Sequence, residues 1–467
     1  MSYRQSTQRK NWIFESSDSV HQQFERINKK AGQLLSTGEC EVIVDYYAKQ
    51  MFSIQKKIKL PLNVFYSCLL LYKHFYIIQS PQLFHPRFIM IACFCFGKKL
   101  EEFRFEGEQD ITIQFLCTKI FESKLLKFSL QELIYYARVY EPVIMEVLHF
   151  ELGKFNAVEP FYGFMQMMVD WKNTELNTLM EEDNVKKENI LLNEFYEEKE
   201  GRLRLKEDYI RNAIDDMKMM YLSYVPLLYS PSMIALAIHY HQLQKQDDLE
   251  NEFERYIQYL RDENDIDIAL GSLDSIISLS QDYEDVQNSV VKLVVEKLNT
   301  IIKITCAACC SVDLMPFLNK ANGELSIMES SDVKWHYTDD KSYQFWLPLG
   351  KIQPTKVRPN SFQLSPFLYF QPDVFVLAFD VSNIKSFEEF KNFEEWKNIS
   401  HYLICRKMIV IGLNSELPHA ISNEEIKSVL RLISNDKIKV QYLEWNIRTS
   451  QINDFISLVN QMIQKKY

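Results

Sequence analysis

The sequence predicts a multidomain protein in which a long all-α region is followed by an α/β domain with a mostly parallel sheet. Three observations carry that expectation. From about residue 15 to residue 299, apolar residues recur at three and four positions, the period of amphipathic helices. After about residue 300, short β-rich runs alternate with helical segments, as when crossover helices join parallel strands. The 467 residues, 47% apolar and 25% charged, supply enough material for two or three buried cores.

Taken in order, Leu62, Phe65, Tyr66, Leu69, Tyr72 and Tyr76 line one face of a helix introduced by Pro61, where a missing amide proton costs little. Residues 85–102 open with Pro86 and are apolar all round through Phe88, Ile89, Met90, Ile91, Cys93, Phe94 and Phe96, which predicts the enclosed hub of a bundle. Ser129-Leu-Gln-Glu132 has the form of a capping box, in which each side chain takes a free backbone amide of the first turn. The helix it starts should run toward Phe150. Pro142, directly after Glu141, removes one helical hydrogen bond and clashes with the Arg138 carbonyl, so this helix is expected to kink or restart. Residues 172–208 are acidic and polar, which predicts an exposed insertion. Ser230-Pro231-Ser232 before MIALAIHY repeats the proline-initiated apolar device of Pro86 and hints at two related helical domains. In the last third, strands are expected at 301–308, 373–379, 408–411 and 440–443, helices at 387–398, 423–433 and 452–464, and a hairpin from 333–337 and 343–346.

Composition excludes several function classes. Net charge is −10 and the 53 Lys and Arg are scattered, so neither nucleic acid nor an anionic membrane is an expected partner. The nine cysteines are odd in number and lack framework spacing, which suits reduced thiols inside a cell. The N-terminal residues lack the apolar core of a signal peptide, and the stretches 64–78 and 88–96 are too short, or interrupted by Lys73, to cross a bilayer. Only 11 glycines lower the expectation of phosphate-cradling loops. Catalytic sets in the helical region are unconvincing. His149, His239 and His241 adjoin apolar helix positions, where packing is the ordinary role, and the adjacent acids Glu101-Glu102 and Asp215-Asp216 diverge by about 100° on a helix.

Four segments in order, HPRFIMIACFCFGKKLEEF (85–103), YEPVIMEVLHFEL (140–152), EPFYGFM (159–165) and LLYSPSMIALAIHY (227–240), resemble the cyclin box. QRKNWIF (8–14) and the long helix after it resemble the H-type transcriptional cyclins in particular. The resemblance implies tandem cyclin boxes, two five-helix bundles: an N-terminal segment and helix at 1–44, a first box at 45–155, a second at 156–285 carrying the acidic insertion, and a C-terminal helix at 286–299. It also implies a non-catalytic regulatory subunit that binds and activates a cyclin-dependent kinase, the one in transcription factor II H that phosphorylates the RNA polymerase II tail and other cyclin-dependent kinases. The implied kinase-binding residues are Lys99, within GKKLEEF, and Glu141, within YEPVIMEVL. Implied partners are the kinase, a RING-type assembly factor and the core of transcription factor II H, and the implied location is the nucleus. A Mediator-type (C-type) cyclin and a non-kinase adaptor are the alternative readings.

PDVFVLAFDVSNIKSFEEFKNFEEW (372–396), KMIVIGLNSEL (407–417) and VQYLEWNIRTSQINDFISLVNQMI (440–463) resemble a Ras or Rab-type small GTPase over residues 300–467. The nucleotide motifs of that family are worn away. A P-loop needs two glycines, a lysine and a hydroxyl, and here Ala308, Asp313, Leu314 and Met315 stand in those places. Leu347 replaces the carboxylate of the magnesium-side motif, Leu413 and Glu416 occupy the guanine-reading motif, and Asn446-Ile447-Arg448 takes the place of the last loop. The expectation is a pseudo-GTPase without cofactor or metal. Cys306, Cys309 and Cys310 have no second ligand pair with which to complete a zinc site, and GKIQPTK at 350–356 follows the wrong strand for a P-loop.

Overall fold

The computed structural model describes residues 3, 6–31, 34–109, 111–182, 196–199, 202–245, 250–264, 270–281, 288–300, 302–308, 328–329, 333–337, 343–348, 373–391, 407–434, 439–446, 450 and 452–464. The chain forms two compact units. The first comprises Met1–Ile27, Cys40–Pro81 and His85–Asn288, and the second comprises Asn28–Glu39, Gln82–Phe84 and Ser289–Tyr467.

The helices in chain order are α1 (Thr7–Asn11), α2 (Ser17–Lys30), α3 (Thr37–Ile58), α4 (Leu62–Ile78), α5 (Pro86–Leu100), α6 (Ile113–Glu122) and α7 (Leu130–Val147). There follow α8 (Val158–Glu182), α9 (Glu207–Leu222), α10 (Val225–Leu228), α11 (Pro231–Gln244), α12 (Glu250–Asn264) and α13 (Leu270–Gln281). Local signals set their starts. His85 and Ser230 each cap a helix whose first turn holds a proline, and Ser129 and Glu132 form the expected reciprocal box at α7. The two proline-initiated helices are buried nearly throughout and act as hubs: α5 packs on α4 and α7, and α11 on α8, α9, α12 and α13. The two sets meet through Tyr66 and Tyr221, ring centroids 4.3 Å apart, and through Lys73, whose ammonium donates to the carbonyls of Leu222 and Ser223 at the end of α9.

Close approach of α4 to α5 requires Gly97. A Cβ there would stand 2.5 Å from Cys68 Sγ and 3.1 Å from the Cys68 backbone. Gly97→Ala is therefore expected to lower the urea midpoint, because overpacking of about 1–3 kcal/mol exceeds the gain of about 1 kcal/mol in helix propensity. Gly163→Ala in α8, which meets open space, should raise it.

One expectation is corrected. α7 runs unbroken through Pro142, because Val139, Tyr140, Val143 and Ile144 bury its inner face and outweigh one lost hydrogen bond. The acidic stretch expected to be an exposed insertion begins as helix. α8 continues to Glu182, Thr174 Oγ1 donates to the Asp170 carbonyl, and β1 (Tyr196–Lys199) pairs antiparallel with β2 (Arg202–Leu205). Glu, Leu and Met propagate helix well, so an acidic composition alone does not end one.

The longest stretch of the second unit opens within α14 (Asn288–Thr300) and builds a seven-stranded sheet from β3 (Ile302–Ala308), β4 (Met328–Glu329), β5 (Val333–Tyr337), β6 (Tyr343–Pro348), β7 (Val374–Asp380), β8 (Lys407–Leu413) and β9 (Lys439–Trp445). The order is β4-β5-β6-β3-β7-β8-β9. Strands from β6 to β9 pair in parallel, while β5–β6 is the expected hairpin and β4 adds antiparallel to its edge. α15 (Ile384–Lys391), α16 (Asn423–Ile433) and α17 (Ile452–Gln464) follow β7, β8 and β9. β7 is buried at six successive positions, so both faces of the sheet are covered there. One core joins Phe375, Leu377 and Phe379 of β7 and Met408 and Val410 of β8 to Phe387 and Phe390 of α15 and Ile426 and Val429 of α16.

Candidate partner-binding site

The last turn of α5 and the middle of α7 bring Lys99 and Glu141 together. Lys99 Nζ lies 2.6 Å from both carboxylate oxygens, with the side chains 34% and 14% exposed. A half-buried ammonium with free donors beside a carboxylate with free lone pairs can bind backbone and side-chain groups of another chain while holding one register. Apolar groups flank the pair in sequence. Leu100 is 37% exposed and Phe150, just beyond α7, is 70% exposed. Phe150 is presented by two consecutive left-handed residues, His149 at φ 51° and Phe150 at φ 59°, a conformation unfavourable for side chains of this size.

The end of α5 is fastened in several ways. The amides of Phe103 and Glu102 donate to the carbonyls of Lys98 and Lys99, with Glu102 left-handed at φ 49°, which is a Schellman turn built on a residue other than glycine. Ser67 Oγ donates to Glu101, and Asn156 Nδ2 donates to Ser67 in turn. Lys98 forms a fully buried ion pair with Glu108. Burial alone would raise the Glu108 carboxyl, but the Lys98 ammonium and the amides of Phe105 and Thr112 bring it below its ordinary value. Inside α5, the Cys95 thiol lies 3.9 Å from that of Cys117, and the hydrogen bond between them, together with burial, pushes Cys95 up and leaves it unreactive. Cys40, Cys68, Cys93, Cys95 and Cys117 are all buried.

The histidines do other work. His239 is buried between Tyr209 and Phe161, and burial pushes it down to about 4 despite its hydrogen bond to the Phe161 carbonyl. His241 bonds Asp216 at 2.9 Å, and His149 is exposed. Among the described residues no group of three or more His, Cys, Asp or Glu could hold a metal, and no helix is long and apolar enough to cross a membrane.

In the second unit, Ala308 ends β3, Leu347 lies in β6, and Leu413 is the buried last residue of β8. Glu416 is exposed in the turn after β8. Asp313, Leu314, Met315, Cys309, Cys310, Ile447, Arg448 and the 350–356 loop lie outside the described residues. Asn414, at φ 59°, donates to the Asp380 carboxylate at 2.9 Å, and Ser382 donates to the same carboxylate, tying the C-terminal ends of β7 and β8.

Sequence reasoning missed Lys98–Glu108, Leu100 and Phe150. The one available signal was a lysine at a position that the apolar periodicity of α5 assigns to the interior.

No family model matches the chain. It is 27% identical over 183 residues to Cyclin-H of Xenopus laevis, a match covering 35% of this chain and 53% of that protein. It is 23% identical over 176 residues to a putative cyclin-H of Dictyostelium discoideum, covering 35% of this chain and 56% of that protein. Over about a third of its length the chain is similar to these two proteins. The chain spans about half the length of these relatives. Among solved structures, a chain of the Chaetomium thermophilum CAK complex bound to ATP-gamma-S is similar at TM-score 0.46 and 16% identity, covering 64% of this chain and 88% of that one. A chain of the yeast TFIIK complex is similar at TM-score 0.40 and 17% identity, covering 62% and 100%.

Proposed function

We propose that this cyclin-H-like chain is a non-catalytic regulatory subunit that binds and activates a cyclin-dependent kinase through the surface around Lys99 and Glu141. The observation that carries the reading is that ion pair. It is close, half-buried and rimmed in sequence by the exposed apolar groups Leu100 and Phe150. Such a surface can seat a kinase helix and hold its glutamate against the lysine that binds ATP phosphates, so the cyclin supplies position and the kinase the chemistry. The finer reading is the kinase of transcription factor II H, acting in the nucleus with a RING-type assembly factor and the core of that complex. The resemblance of residues 8–14 and the helix after them to the H-type cyclins supports it.

For the second unit we propose a small-GTPase-like fold that has lost nucleotide chemistry. Support comes from the parallel sheet with one antiparallel edge and from Ala308, Leu347, Leu413 and Glu416 at positions that would otherwise carry glycine, carboxylate and base-reading groups. Ile384, Leu417 and Leu432 are exposed apolar residues on this unit and favour a protein partner for it.

Purification of the tagged chain from its own cells, with identification of partners and an assay on a polymerase-tail peptide, tests both proposals. One active kinase, retained after deletion of 300–467, is the expected result. Partners without a kinase would leave the adaptor reading, and Mediator subunits the C-type one.

A further inference from the structure

Lys98 is the one charged side chain among the buried positions of α5, all the others being apolar, cysteine, proline or glycine. Its side chain and that of Glu108 are each 1% exposed. Glu108 does more than neutralise it, because the same carboxylate accepts the amides of Phe105 at 3.0 Å and Thr112 at 3.1 Å. The Lys98 carbonyl accepts the Phe103 amide at 3.1 Å, and Arg104 donates to the Gln109 carbonyl at 2.8 Å. Gly107, at φ +80°, lets the chain turn back so that Glu108 can reach α5. Lys98 therefore binds the segment that follows α5 with both its side chain and its backbone, one residue before Lys99.

Energetics argue that stability is not the reason. Replacing a buried ion pair with apolar residues of similar volume is often neutral or stabilising, whereas the charges restrict the site to one geometry. Two apolar side chains would hold α5 as well but would allow the 101–112 segment more than one seat. Lys98 and Lys99 project about 100° apart on the same turn, so any looseness at one is looseness at the other.

We propose that the buried Lys98–Glu108 pair positions the kinase-binding surface, fixing the last turn of α5 and the 101–112 segment so that Lys99 and Leu100 face the partner in a single register. The inference rests on the reading of Lys99 as a kinase contact. Lys98 and Glu108 themselves are inside the protein and touch no partner.

The test is a double-mutant cycle on the full chain, with the kinase that co-purifies with wild type as the probe. Lys98→Met should weaken Kd about tenfold in the wild-type background and by less than about twofold in a Lys99→Met background. The change in melting temperature should be the same in both backgrounds. A purely structural role would instead give the same loss of affinity in each. Equal losses, or no loss in either, overturn the inference. Unchanged affinity in Lys99→Met alone overturns the kinase-contact reading and the inference with it. Glu108→Gln, which removes the charge and keeps one of the two oxygens that accept from Phe105 and Thr112, runs the same cycle should Lys98→Met not fold.

Discussion

Lys99→Glu is expected to reduce kinase affinity by at least about a hundredfold, and exchanging both charges, Lys99→Glu with Glu141→Lys, should restore the fold without restoring the partner. The single change sets two carboxylates against each other where the lysine ammonium now lies 2.6 Å from both Glu141 oxygens. Like charges at that separation oppose folding as well as binding. Truncating one member of a hydrogen-bonded charge pair that becomes buried in an interface costs about 2–5 kcal/mol, and reversal costs no less. The exchanged pair rebuilds the internal attraction but presents the opposite sign to the kinase at each position. Thermal unfolding and surface plasmon resonance on the three proteins separate the effects. The melting temperature should fall in the single variant and recover in the exchange, while affinity stays low in both. Recovery of affinity with the melting temperature would show that the pair only holds α5 to α7, and the partner surface would have to be sought elsewhere.

What the sequence made legible was local. Proline, serine and glutamate at helix starts act on backbone groups within four residues, so α5, α7 and α11 could be read from Pro86, Ser129–Glu132 and Ser230–Pro231. The helices at Asn423–Ile433 and Ile452–Gln464 were legible for the same reason, since each carries an amphipathic face. Pro142 was misread because its local cost is real but smaller than the burial of its neighbours, a quantity set by α5 and absent from the α7 sequence. Lys99 and Glu141 came from a family resemblance, and their separation of 42 residues follows no spacing rule. Lys98 and Glu108 are only ten residues apart, yet nothing in the pattern says that the chain folds back after Glu102. That reversal depends on left-handed geometry at Glu102 and Gly107. Lys73 likewise read as an interruption of an apolar run. Its partners are two carbonyls about 150 residues away.

Trp12→Ala should destabilise the helical unit by about 3–5 kcal/mol, the cost of emptying a large buried aromatic site. Trp12 is buried with its indole stacked on His74, ring centroids 4.7 Å apart, and the Lys154 ammonium lies 4.9 Å from the ring. Its Nε1 donates to Glu151 at 2.7 Å, and Gln8 exchanges two hydrogen bonds with the backbone of Phe155, so α1 is latched to the 148–157 linker between the two helix sets. The latch should also be pH-sensitive. Burial, reinforced by the Lys154 and Lys73 ammonium groups, holds His74 well below its ordinary value. As pH falls below about 6.5, the unfolded chain takes a proton on this histidine that the folded chain refuses, so stability declines. Burial, partly offset by Glu151, lowers Lys154 to about 7. Between there and the ordinary lysine value it is the unfolded chain that holds the extra proton, and stability climbs with pH. Both groups therefore tilt stability the same way, upward from acid to alkaline pH. Urea midpoints measured from pH 5 to pH 9 should rise in wild type, and His74→Leu should lessen the slope below pH 6.5 without abolishing it, because His239, held at about 4, keeps its own share. An unchanged acid limb in His74→Leu would mean that the histidine is protonated and accommodated in the folded protein, and the limb would then lie with His239, which burial holds at about 4.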